Sequence, residues 1–142
     1  MHAPTHLKHT PILEVSDYHQ IDGPYEPGKT DAKALSLGLA QWNDAGETDL
    51  SVKTWREVDG RWSRLSEELP IHRALDLATL AVSAINHAKN GADLLDEGAF
   101  KIAKCKTNSS LEKLMHDKLG CKNDDIDCSL ARLAKELKKL GY

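Results

Sequence analysis

Apolar and polar positions alternate with different periods along this chain, and each period predicts an element. In DAKALSLGLAQWND, residues 31–44, Ala34, Leu35, Gly38, Leu39 and Trp42 recur at steps of three and four. That is the period of one helix face, and Leu37 and Ala40 widen it. The pattern predicts a mostly buried helix running from a Thr30 or Asp31 cap to about Asn43. Gly38 costs about 1 kcal/mol relative to Ala inside a helix, which points to a place where another backbone comes close.

A strand pattern follows in DLSVKTWREVDGRWSRLSEE. Asp59-Gly60 between β-favouring residues predicts a two-residue type I′ hairpin turn. Val58 is then expected opposite Arg61, Glu57 opposite Trp62, and Trp55 opposite Arg64. Alternation puts Trp55, Glu57, Trp62 and Arg64 on one face, with Lys53 near its end.

From Pro70 the helical period returns. Ile71, Ala74, Leu75, Ala78, Ala81, Val82 and Ile85 form a sustained stripe, extended by Leu77, Leu80 and Ala84. The breadth predicts a central helix ending at Gly91. One narrow polar strip escapes it: His72, Asp76, Thr79, Ser83 and Asn86. ADLLDEGAFKIAKCK then reads as a looser helical stretch broken at Gly98. SSLEKLMHDKLG and DDIDCSLARLAKELKKLGY read as two amphipathic helices forming a hairpin, the second with acid at its start and lysine at its end. In the first thirty residues, TPILEV predicts one short strand, and the Gly-Pro and Pro-Gly pairs that follow predict loop.

The resulting expectation is an α+β fold, mainly α, with four or five helices packed around a short β-hairpin. Residues 1–142 form a single domain, with an N-terminal arm and loop over 1–30, a helix–hairpin–helix core over 31–104 and a C-terminal helix pair over 107–142.

Composition narrows the function classes. A net charge of −3 gives no overall attraction for nucleic acid. The basic residues Arg132, Lys135, Lys138 and Lys139 lie on a helix whose start is acidic, the wrong end for a DNA-reading helix. No apolar run approaches the roughly 18 residues a membrane span needs. Three cysteines leave an odd thiol, which fits a reducing cytoplasm. Phosphate loops, dinucleotide fingerprints and the Gly-x-Ser-x-Gly elbow are absent.

Candidate chemistry centres on the polar strip and the hairpin. Glu68, His72 and Asp76 are spaced by four, which suits a divalent ion but suits ordinary hydrogen bonds and ion pairs as well. Without a His-Glu-x-x-His motif the structural reading leads, and no metal or cofactor is assigned. The histidines at 2, 6 and 9 sit in an arm, a poor place for a preorganised site. The candidate ligand-binding set is Trp55, Arg56, Trp62, Arg64, His72, Arg73 and Asp76, where aromatics and arginines would meet a histidine. The leading expectation is a non-catalytic interaction or binding module, as a homodimer. The alternative is a small enzyme or ligand-binding protein using that set. His72 is expected to be neutral at pH 7 and bonded to a fixed neighbour.

The segments DAKALSLGLAQWND, DLSVKTWR and WSRLSEELPIHRALDLA carry a resemblance. Their Ala-Gln-Trp-Asn, Lys-x-Trp-Arg and Glu-Glu-Leu-Pro-x-His-Arg patterns resemble an uncharacterised bacterial family, a domain of unknown function. The resemblance covers roughly residues 4–80 and implies a small bacterial cytoplasmic protein, with no mechanism attached.

Overall fold

The computed structural model describes residues 1–105 and 109–142; the junction expected at Thr107 lies outside them. Two compact units divide the chain, Met1–Leu75 and Asp76–Tyr142.

The first unit is built on an antiparallel sheet of five strands: β1 (Thr10–Val15), β2 (Ala32–Leu39), β3 (Leu50–Val58), β4 (Arg61–Trp62) and β5 (Glu68–Pro70). β1 pairs with β2 and β2 with β3, while β4 and β5 follow one another along the far side of β3. Helix α1 (Ile71–Asn90) starts directly after β5. In the second unit a small hairpin, β6 (Asp96–Glu97) and β7 (Phe100–Lys101), precedes helices α2 (Ser109–Gly120) and α3 (Asp124–Leu140).

This corrects the mainly helical expectation: the described residues hold three helices, and a five-stranded sheet in place of a lone hairpin. The segment read as the first helix is strand β2. Its Ala32, Ala34, Ser36 and Gly38 are buried, and Lys33, Leu35, Leu37 and Leu39 alternate with them on the other side. An eight-residue run rich in Ala and Leu satisfies both periods, and pairing with β1 and β3 on its two edges decides for the strand. Gly38 does permit a close approach, but across a sheet. A Cβ there would collide with the Thr10 carbonyl and stand 2.8 Å from the Pro11 Cα.

The hairpin turn falls at Asp59-Gly60, with positive φ at both residues (51° and 75°), as a type I′ turn requires. Val58 pairs with Arg61 and Glu57 with Trp62. The expected Trp55–Arg64 pairing does not form. β4 ends at Trp62, a turn through Ser63 and Ser66 intervenes, and the Thr54 amide bonds the Glu67 carbonyl at 2.8 Å.

Two further expectations are corrected. The looser helical stretch after Gly91 contains the β6–β7 hairpin, turning at Gly98. Helix α1 has the expected span, but none of its residues is buried, so it is not a central helix. TPILEV is strand β1, α2 spans the expected segment, and α3 starts where expected and ends at Leu140. The Asn123 side chain caps α3 by accepting from the Asp125 and Ile126 amides, both at 3.1 Å.

Candidate functional site

Among the described residues, the buried apolar side chains are Trp55, Pro4 and four alanines. The buried face of the sheet is otherwise polar or small, and it carries the densest chemistry of the chain. Strand alternation turns Ser36 inward from β2, Ser51, Lys53 and Trp55 inward from β3, and Glu68 inward from β5. His9, just before β1, lies among them with its side chain fully enclosed.

Distances define a relay. His9 Nε2 is 2.9 Å from Ser36 Oγ, and Ser36 Oγ accepts from Trp55 Nε1 at 2.8 Å. The Ser36 hydroxyl has two lone pairs and one proton, so it can accept from the indole and still bond His9 Nε2 in either direction. Nδ1 in turn faces Ser51 Oγ at 3.0 Å and Glu68 Oε1 at 3.1 Å. Glu68 Oε1 also accepts from Ser51 Oγ at 2.6 Å and from the Gln41 amide at 2.9 Å. Lys53 Nζ lies 3.5 Å from Glu68 Oε2 and 4.5 Å above the Trp55 ring. Burial pushes the Glu68 carboxyl up. The bonds from Ser51, Gln41 and His9, with the Lys53 charge, outweigh it and hold the group below the usual carboxylate range.

Serine, histidine and glutamate in this order have the connectivity of a nucleophile with its base and orienting acid. Such a nucleophile must meet substrate. Ser36 is instead 6% exposed, with Trp55 donating to its oxygen. The network therefore joins the lead into β1 to β2, β3 and β5, satisfying polar groups that burial would otherwise penalise.

The opposite face of the same sheet has the reverse character. Leu13, Val15, Leu35, Leu37, Val52, Thr54 and Leu69 line an open groove of about 400 Å³, with Glu14 and Glu67 also along it; Ser36 and Lys53, whose side chains turn inward, border it as well. Leu13 is 65% exposed and Val15 45%. Both acidic side chains are already bonded within the chain, Glu14 to His2 and Glu67 to Arg56. Groove walls of leucine and valine on the outside of a sheet whose inside is polar are the strongest functional signal in the unit.

The sequence-derived candidates do not converge. Trp55 is buried in the core with Trp62 packed edge-on against it, ring centroids 5.8 Å apart, as their shared face implied. Arg56 is bound by Glu67 through Nε and Nη2, and by Asp31 at 2.5 Å through Nη1. These partners, Glu67 foremost, raise its pKa against the opposing effect of burial. Arg64 and Arg73 are exposed. His72 is exposed beside a groove with Trp42, Asp49, Leu50, Pro70 and Ile71. Asp76 is exposed and belongs to the second unit. Further along the strip, Ser83 Oγ accepts from the Leu95 amide at 3.2 Å, and Asn86 accepts from Asn90 at 2.7 Å.

Sequence reasoning missed His9, Ser36 and Ser51, and it placed Glu68 in a helical row with His72. The available signal was the period of two in β2 and β3, which sets small or polar residues on one side only.

Among the described residues, no helix is long and apolar enough to cross a membrane. None of the curated proteins and none of the solved structures compared with the chain matches it. A family model does match, over residues 1–142, well beyond the segments whose motifs carried the resemblance, and the chain belongs to that family, the family of unknown function DUF6530.

Proposed function

We propose that this protein is a non-catalytic interaction module that pairs with a second copy of itself through the open face of its sheet, in a reducing cytoplasm. The observation that carries the reading is the character of the two faces: leucines and valines line the outward groove, while the enclosed side sets His9, serines and Glu68 around Trp55 and small alanines. Covering the groove removes apolar surface from water at no cost in unpaired charge, because Glu14 and Glu67 already have partners. Growth from the β1 edge is disfavoured by Pro11 and by the bulge at Ile12, both devices that blunt an edge strand. Face-to-face packing of two sheets about 10 Å apart remains. The cysteines at 105, 121 and 128 are free and exposed, which supports a reducing compartment.

Four strands at about 4.8 Å spacing give a face of roughly 400 Å² per copy. An interface of this kind, below about 1,200 Å² in total, supports a weak and reversible dimer. Sedimentation velocity across a concentration series tests the reading. The parent should move from monomer to dimer, and Leu37→Glu should stay monomeric with its melting temperature nearly unchanged. Equal association by parent and variant would refute it.

A ligand-binding reading is supported by the second groove, about 420 Å³, where His72 lies beside Trp42 and Asp49. Trp42 fluorescence in a small-molecule screen, repeated on His72→Ala, tests it. A ligand that binds the parent and loses affinity in the variant would support it, and binding indifferent to His72 would dismiss it.

A further inference from the structure

In the second unit, α1 and α2 bring two imidazoles together. The rings of His87 and His116 have centroids 5.0 Å apart and planes inclined by 51°. His87 Nδ1 is 2.6 Å from the Ala92 carbonyl oxygen. A carbonyl only accepts, so Nδ1 carries the proton and Nε2 presents a lone pair. That Nε2 is buried, and no group of the protein donates to it. An enclosed acceptor left unmet is rare in a folded protein. One ring nitrogen anchored on a carbonyl with the other left bare is the arrangement of a histidine prepared to ligate a metal.

The two helices are held closely at this level. A Cβ on Gly120 would lie 3.2 Å from the Ala88 carbonyl oxygen, so the α2 backbone runs beside the residue next to His87. The imidazoles are thus carried by two helices that approach each other at this point, and not by loops. Glu112 lies one turn before His116 on α2, the spacing that puts both on one helix face. Its carboxylate is paired with Lys104.

We propose that His87 Nε2 and His116 bind a divalent transition ion between α1 and α2, with Glu112 as third ligand. Two neutral imidazoles and one carboxylate suit zinc, nickel or copper and not magnesium or calcium. Among the described residues no three such side chains already stand together as a ligand set. Completing the site therefore requires Glu112 to exchange Lys104 for the ion.

The test uses the full chain with cobalt(II) and zinc(II) as probes. Expected are one tight site per chain, a cobalt spectrum without a thiolate charge-transfer band, and a higher melting temperature with zinc, since an ion that binds only the folded state stabilises it. His116→Gln and His87→Gln should each weaken zinc binding at least about tenfold, Glu112→Gln should weaken it less, and a His2→Gln/His6→Gln double variant should bind like the parent. Should His87→Gln fail to fold, His116→Gln carries the comparison, because His116 is only half-buried. Binding unaffected by His116→Gln, a thiolate band, loss of the site in the N-terminal variant, or no binding at about 100-micromolar zinc would each overturn the assignment.

Discussion

Gly38 in β2 lies directly against Thr10 at the start of β1, with no space between them for a side chain. The obstructing atoms are backbone, the Thr10 carbonyl and the Pro11 Cα, and neither rotates away as a side chain would. Gly38→Ala should therefore force β1 away from β2 and cost about 1–3 kcal/mol or more, in the range of overpacked interiors. Chemical denaturation of the two proteins checks this. Equal midpoints would mean β1 does not approach β2 as described.

His9 is the second link between β1 and the sheet. His9→Ala removes partners from Ser36, Ser51 and Glu68 at once, all on the enclosed face. Each keeps one further partner, Trp55 for Ser36, Glu68 for Ser51 and Gln41 for Glu68, so the expected loss is about 1–3 kcal/mol in all. His72→Ala, by contrast, changes an exposed residue and should shift stability by less than about 0.5 kcal/mol. Thermal melts of both variants beside the parent make the comparison.

Stability should also depend on pH through Glu68 and Glu67. Both carboxyls are depressed in the folded chain, Glu67 chiefly by its Arg56 bond. A group whose folded pKa is lowered binds its proton more readily when unfolded. Its contribution is thus fully present above the unfolded value of about 4.3 and disappears as pH falls through the lower folded value. Denaturation midpoints should be insensitive to these groups from pH 7 to about 5.5 and decline below it. Glu68→Gln should lower stability at pH 7 and flatten the acid decline. An identical slope in the variant would remove Glu68 from the account.

Elements written in local chemistry were legible in the sequence. The Asp59-Gly60 turn needs positive φ at two successive positions, which few residue pairs supply, so it fixes the β3–β4 register by itself. Gly60→Val should accordingly destabilise the first unit, because a β-branched residue resists that conformation. Helices α2 and α3 were legible from their amphipathic period, and α3 also from the acid at its start and lysine at its end.

Strand β2 was not legible, because Ala, Leu and Lys favour helices and its apolar positions fit both periods. Long-range pairing with β1 and β3 made the choice. His9 was hidden for the same reason. Its role depends on Ser36, Ser51 and Glu68, 27 to 59 residues away in the chain, and no local pattern announces them. Once β2 is a strand, the inward serines and the outward leucines follow together, and so does the groove.

That groove is tested most directly by isotope-filtered nuclear Overhauser spectroscopy on a mixture of carbon-13-labelled and unlabelled chains. Pairing through the open sheet face predicts contacts between copies from the methyl groups of Leu13, Leu35, Leu37 and Val52, lost in Leu37→Glu. Contacts between copies confined to the methyl groups of α2 and α3, or none at millimolar concentration, would contradict it.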